Sequence, residues 1–235
     1  SLDWSPGAPF EADGTLSLAN WRAEGASFDA RELRVALLLA PDGGGRLELD
    51  GAARITGPLA DGQVRDLTPE LGVTVAWKDG WRVSPRDGCL PVGVGGLDVA
   101  GLSFQRGAMR WCAGPGGALI AADANQNLSG GFVIQNLALN GRMAGENGQP
   151  ARLQSSAVRG QFGGRMGDIR LDVEASAPAL DIDMAQDRTL AVAGERLTAN
   201  VQITDAGWRV DGAFAAGTLT DPTLPGAVSA IGGSW

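Results

Sequence analysis

Hydrophobic and polar residues alternate one by one along much of the chain, most strictly in its second half. Four segments show this alternation without a break: residues 169–174, 180–184, 197–204 and 208–211. Side chains of a β-strand point alternately to opposite faces, so each segment predicts a strand with one apolar and one polar face. Strands of this kind are typical of antiparallel sheets.

The first half predicts strands as well. Residues 73–78 and 81–83 flank the dipeptide Asp79-Gly80, which readily forms the tight turn of a β-hairpin. Residues 29–40 consist of residue types that favour a helix. Their apolar positions alternate from 33 to 39, however, and we predict a strand there too.

A short motif, Trp-Arg-Val, occurs at residues 81–83 and again at 208–210. In both places it follows a predicted strand and a turn. Repetition of this kind favours an elongated sheet. We therefore expect one β-rich unit over residues 1–235, with a subdivision near Gln149-Pro150 or, equally, a long hairpin loop at that point.

The two cysteines, Cys89 and Cys112, flank a segment that predicts a strand, a turn and a strand, with turn residues at Gly101 and at 105–107. A hairpin would bring the two thiols together. A disulfide would close a loop of roughly 24 residues and stabilise the fold by about 3 kcal/mol, and two buried free thiols are the alternative. Two cysteines without histidine are too few ligands for a metal site, and we predict none.

Composition narrows the possible functions. The chain has 235 residues, of which 44% are hydrophobic and 20% charged, so it can form a core. A net charge of -8 argues against binding to nucleic acid, which requires a basic surface. With no histidine, the chain cannot form a Ser-His-Asp triad. We expect neither an enzyme nor a bound cofactor.

The two ends of the sequence predict that it is a piece of a longer polypeptide. The chain does not begin with methionine or a signal peptide, and it stops within a predicted strand in residues 226–235. No apolar run reaches the roughly 18 residues of a membrane span.

The apolar faces of the predicted strands need a cover. Burying Leu180, Ile182 and Met184 contributes about 5 to 9 kcal/mol in total. Ordering residues 180–184 costs about 5 to 10 kcal/mol. The strand is therefore marginal unless its apolar face is well covered. Either a second sheet provides the cover, in a β-sandwich or a closed sheet with a dry core, or an open trough is completed by a ligand such as an acyl chain.

Other chemistry has a simpler explanation. Asp181 with Asp183, and Asp172 with Glu174, resemble pairs that act as acid and base in glycosidases or bind calcium. Carboxylates at alternate positions of a strand are also what a solvated face contains, and we favour that interpretation.

Four short motifs resemble a known family. They are residues 88–92 (GCLPV), 110–120 (RWCAGPGGALI), 128–131 (LSGG) and 160–164 (GQFGG). The chain from about Gly51 onward resembles the YdbH family of alphaproteobacteria, which belongs with the AsmA-like and TamB-like proteins.

The resemblance implies a function and a location. Members are anchored in the inner membrane of Gram-negative bacteria and cross the periplasm as a long, curled β-sheet whose apolar groove carries phospholipids toward the outer membrane. This favours the trough, with phospholipid acyl chains as ligand and with membrane proteins bound through other parts of the longer protein. The runner-up is an extracellular β-sandwich module that binds glycan or protein. The expected groove-lining residues are Val73, Val75, Ile169, Leu171, Val173, Leu180, Ile182, Met184, Leu197, Val201 and Ile203.

Overall fold

A computed structural model shows an all-β chain whose strands form one antiparallel sheet. It describes residues 8–23, 25–59, 62–99, 101–143, 148–184, 188–221, 223 and 226–234. The predicted elongated sheet is confirmed, and these residues form no second sheet that would make a β-sandwich.

The strands follow one another along the sequence with short connections. The first eight are β1 (Phe10–Ala23), β2 (Ala26–Leu39), β3 (Gly45–Leu59), β4 (Gly62–Trp77), β5 (Gly80–Pro85), β6 (Cys89–Val99), β7 (Leu102–Ala113) and β8 (Ile120–Asp123). The second eight are β9 (Leu128–Met143), β10 (Pro150–Arg165), β11 (Asp168–Ser176), β12 (Ala179–Met184), β13 (Arg188–Ala193), β14 (Arg196–Thr204), β15 (Gly207–Thr220) and β16 (Val228–Ser234).

The sheet is a simple meander once strands that lie end to end are joined. β5 and β6 pair with the two halves of β4, and β8 and β7 with the two halves of β9. β11 and β12 divide β10 in the same way, and β14 and β13 divide β15. We call each strand, or each pair of strands joined end to end, a rib. The sixteen strands form twelve ribs in chain order. Pro150 begins β10, which pairs with β9 across the connection that contains Gln149.

Several ribs contain a residue in the left-handed region although it is not glycine. Examples are Glu32, Asp66, Asn136, Ala177 and Ala216, with φ between 46° and 54°. Such residues interrupt the alternation and bend the strand, as β-bulges do. A hydroxyl of the adjacent rib satisfies two of the exposed amides: Ser17 Oγ accepts from Glu32 N, and Thr56 Oγ1 accepts from Asp66 N. These bends curl the sheet.

The local predictions can be compared with these strands. The strand within residues 29–40 and the hairpin at Asp79-Gly80 are confirmed. The turn predicted at 105–107 is wrong, because those residues lie inside β7 and the hairpin turns at Gly101 instead. The glycine at position 107 permits close packing within a strand and does not mark a turn. The side chain of Leu139 lies only 2.6 Å from where a Cβ of this residue would stand.

Candidate functional site

One face of the sheet is apolar from β1 to β15. The register places one residue of each of eleven ribs in a single cross-strand line, which we call the apolar row: Ala12, Leu37, Leu47, Val75, Val83, Ile120, Gly130, Phe162, Leu171, Val201 and Val210. Directly opposed residues of antiparallel strands point to the same side. The row therefore defines one continuous apolar face, about 50 Å long at the usual spacing between strands.

This face is covered incompletely. The chain exposes 14404 Å² of surface, whereas a compact monomer of 24.1 kDa exposes about 10,000 Å². Large apolar side chains are exposed at its margins, among them Trp21 (57%), Ile203 (45%) and Trp208 (60%). A layer of protein packed on the face would have removed much of this area from water.

Aromatic rings on the apolar face pack against glycines of the neighbouring rib and fill the space that a side chain at the glycine would occupy. A Cβ on Gly160 would stand 2.3 Å from the ring of Phe132, and one on Gly130 would stand 2.4 Å from the ring of Phe162. Gly45 bears the same relation to Trp77, at 2.2 Å. Each glycine is the register partner of its aromatic residue, so the ring occupies the space above the glycine.

The opposite face is polar and carries ion pairs between neighbouring ribs. Arg65 contacts Asp98 at 3.1 Å, and Lys78 contacts Asp42 at 2.7 Å. The hydrogen bond from Lys78, followed by the amide of Gly44, holds the pKa of Asp42 below its usual value. All these charges are at least partly exposed, as expected for a face that lies in water.

The eleven predicted lining residues all lie on the apolar face. Their register partners are also apolar with one exception: Ile169 pairs with Ile203, and Leu180 with Val192, but Met184 pairs with Arg188. Val73 differs from the others because its own neighbours bury it to 5% exposure.

Sequence reasoning missed the larger part of this face. Leu37, Leu47, Val83, Ile120 and Phe162 belong to the apolar row and were not among the predicted lining residues. Alternation would have identified Leu47, Val83 and Phe162, since each is flanked by polar or small residues, whereas Leu37 and Ile120 each have a leucine beside them.

The carboxylate pairs lie on the polar face. Asp172 and Glu174 border an open depression of about 610 Å³, together with Asn200 and Asp211. Asn200 Nδ2 donates to Asp172 at 2.5 Å, so that carboxylate already accepts a hydrogen bond within the chain. The described residues contain no cluster of three or more His, Cys, Asp or Glu suited to a metal ion.

Cys89 and Cys112 form a disulfide, as the hairpin predicted. They are direct register partners on β6 and β7, next to the pair Leu90 and Trp111 of the apolar face. Because neighbours along a strand point to opposite sides, the disulfide lies on the polar face. It leaves the apolar face free of cystine.

The repeated Trp-Arg-Val motif has the same place in both copies. Trp81 is the second residue of β5 and pairs with Trp77, and Trp208 is the second residue of β15 and pairs with Ile203. Both indoles therefore lie on the apolar face at the same end of their ribs.

Comparisons with known proteins find no relative: no family model, no curated protein and no solved structure matches the chain. Within the described residues, no helix is long and apolar enough to cross a membrane.

Proposed function

We propose that this chain is a segment of a periplasmic bridge that carries phospholipids between the inner and outer membranes of a Gram-negative bacterium. The acyl chains lie on the apolar face, and the longer protein provides the membrane anchor and the contacts with membrane proteins. No bond is made or broken. The observation that carries the proposal is the unbroken apolar row across eleven ribs.

The dimensions of the face suit lipid chains. Ribs such as β4, β9 and β10 contain 16 residues, which span about 50 Å. One leaflet of a bilayer core is about 15 Å deep, so an extended acyl chain is shorter than a rib and fits along it. Each methylene that leaves water contributes about 0.8 kcal/mol, so acyl chains are a chemically suitable cover.

The surface of the face also suits movement. The apolar row contains no ionised or hydrogen-bonding side chain that would hold a lipid at one place. The rings packed over Gly130 and Gly160 fill the gaps that these glycines would otherwise leave between adjacent ribs. Lipids would then move along the row passively, driven by the supply at one membrane and the removal at the other.

Site-specific photo-crosslinking in the periplasm of a Gram-negative host tests the proposal. A photoreactive amino acid at Leu171 or Val201 should crosslink phospholipid, which mass spectrometry of the purified adduct identifies. The matched control positions are Arg170 and Gln202, which are the next residues on the same strands and point to the polar face. We expect no lipid adduct at the control positions.

Substitution of Ile182 with Asp gives a second test. On an uncovered face this carboxylate remains hydrated, so we expect a folded protein that no longer crosslinks lipid through a probe at its register partner Leu190. If the unaltered chain crosslinks no lipid at Leu171 or Val201, the bridge is contradicted. It would favour the alternative of a module that binds glycan or protein through its exposed aromatic residues.

A further inference from the structure

The apolar face carries one charged side chain that its surroundings do not explain. Arg188 begins β13 and is the register partner of Met184 on β12. Two residues further along the same hairpin, Leu190 pairs with Ile182 on the apolar face. Arg188 therefore projects on the apolar side, at the end of its rib. It is the only ionised side chain that the structure describes at a paired position of this face.

One nitrogen of this guanidinium lacks a partner. Arg188 Nε is buried and makes no hydrogen bond. A buried donor without an acceptor is costly, more so in a charged group. Among the described side chains, only one other buried nitrogen is in this situation, Trp111 Nε1. That indole is enclosed in the packed centre, where its ring meets the ring of Phe132 edge to face at 5.8 Å.

A nearby carboxylate does not satisfy Arg188. Asp221 Oδ1 accepts from the amide and the hydroxyl of Thr223, at 2.8 and 2.7 Å. These two bonds, and then the charge of Arg188, hold the pKa of Asp221 below its usual value. No described carboxylate lies within ion-pair distance of Arg188. The guanidinium thus has a long-range counter-charge and keeps hydrogen-bonding capacity for an added oxyanion.

The position is where a head group would be found. An acyl chain that lies across a rib on Leu180, Ile182 and Leu190 reaches the end of the rib at Arg188. The polar end of a lipid must remain in contact with water, and the end of a rib is where the apolar face meets solvent. Arginine binds phosphate oxygens in pairs, with a planar fork of N–H donors.

We propose that Arg188 binds the phosphate of a phospholipid whose acyl chain lies on β12 and β13, and so gives the face a preference for phosphate-bearing lipids over neutral ones. This inference rests on the proposed function and adds a head-group site to it. The same chemistry would accept a free phosphate ion, so the test separates the two sources.

The experiment compares three probes with the purified full chain: phosphatidylglycerol, diacylglycerol with the same acyl chains, and inorganic phosphate. Binding is measured by displacement of a fluorescent fatty acid for the lipids and by calorimetry for phosphate. Arg188→Met keeps the apolar stem and removes the charge, whereas Arg188→Lys keeps the charge. Arg170→Met, on the polar face of β11, is the matched control.

We expect Arg188→Met to weaken the binding of phosphatidylglycerol about tenfold, the size of one charge-assisted hydrogen bond, and to leave diacylglycerol unchanged. Arg188→Lys should recover part of the loss, and Arg170→Met should have no effect. An equal loss for both lipids, or no loss, overturns the head-group site while the proposed function stands. Arg188-dependent binding of inorganic phosphate at the affinity of the lipid also overturns it, because the acyl chain would then be irrelevant. If the unaltered chain binds neither lipid, both proposals fall.

Discussion

The ribs in the centre of the sheet and the ribs at its C-terminal end have the same apolar face, but they cover it to different degrees. In the centre, Val73, Val92 and Phe104 are 5%, 2% and 1% exposed. From β11 onward the described residues include no buried apolar side chain, and Ile203 and Trp208 are 45% and 60% exposed. The apolar side chains are thus packed against those of neighbouring ribs in the centre and are left partly exposed at the C-terminal end.

The irregular residues are distributed differently in the two regions. Ribs of the first half are interrupted at two levels, for instance at Gly51 and Glu32 on one level and at Asp66 on the other. From β9 to β15 an interruption runs through Asn136, Ala177 and Ala216, and the pair of β15 and β16 has a second one at Ala230. Each such interruption bends its rib and increases the local twist, and so changes how the side chains of neighbouring ribs meet. The same apolar pattern can therefore form a packed core or an open surface, depending on where the backbone bends.

A matched pair of charge substitutions has the largest expected effect on this contrast. Val92→Asp places a carboxylate where the side chain is 2% exposed, and we expect a loss of more than about 4 kcal/mol in unfolding free energy. Val201→Asp, on the half-exposed face of β14, should cost about 1 kcal/mol because its carboxylate remains hydrated. Urea denaturation of both variants measures the difference.

The companion variants Val92→Ala and Val201→Ala keep the comparison informative if Val92→Asp does not fold. We expect the same order, with a loss of about 2 kcal/mol at Val92 and less than about 1 kcal/mol at Val201. Equal losses at the two positions would mean that the C-terminal face is covered in solution, and the contrast between the regions would be wrong.

Removal of the disulfide should affect the centre alone. The bond joins residues 23 apart in sequence, so its loss in the variant with both Cys89→Ala and Cys112→Ala should cost about 3 kcal/mol. The bond lies on the polar face, and we expect lipid crosslinking at Leu171 to be unchanged. Thermal unfolding with and without reductant checks the first effect, and reductant should have no effect on the double variant. A loss of crosslinking at Leu171 would show that the two regions are coupled.

The sequence predicted the strands and the apolar face better than it predicted their coverage. Alternation at residues 169–184 is a local property, and it specified the strands there correctly. Alternation does not reveal where ribs bend, because Glu32, Asn136 and Ala177 adopt the left-handed conformation without being glycine. Strand β13 was also missed, since the alanines of its sequence are compatible with either face.

A glycine substitution at the border between the regions should have an intermediate effect. Gly160→Ala would place a Cβ 2.3 Å from the ring of Phe132, so we expect a loss of about 1 to 3 kcal/mol as the ring is displaced. Gly163→Ala, on the same strand, is the control, because its nearest atom would be 3.7 Å away. The free energy of unfolding measures both. Phe132→Leu should reduce the cost of Gly160→Ala in a double-mutant cycle, and an unchanged cost would contradict the proposed packing of ring on glycine.

The smallest expected effect concerns the turn between β2 and β3, on the side of the packed centre. Lys78 donates to Asp42 and lowers the pKa of that carboxyl, so the folded state binds its proton more weakly than the unfolded state does. The resulting stabilisation is complete above the ordinary carboxyl pKa near 3.8 and is lost as the pH falls below it toward the lowered value. We therefore expect Asp42→Asn to unfold slightly more easily than the unaltered chain at pH 7. The difference between the two proteins should shrink as the pH falls below that ordinary value. The side chains of Lys78 and Asp42 are both exposed, so 0.5 M salt should also reduce the difference in stability between the two proteins. A difference that persists at pH 2, where the carboxyl group is protonated, would show that the charge pair is not its cause.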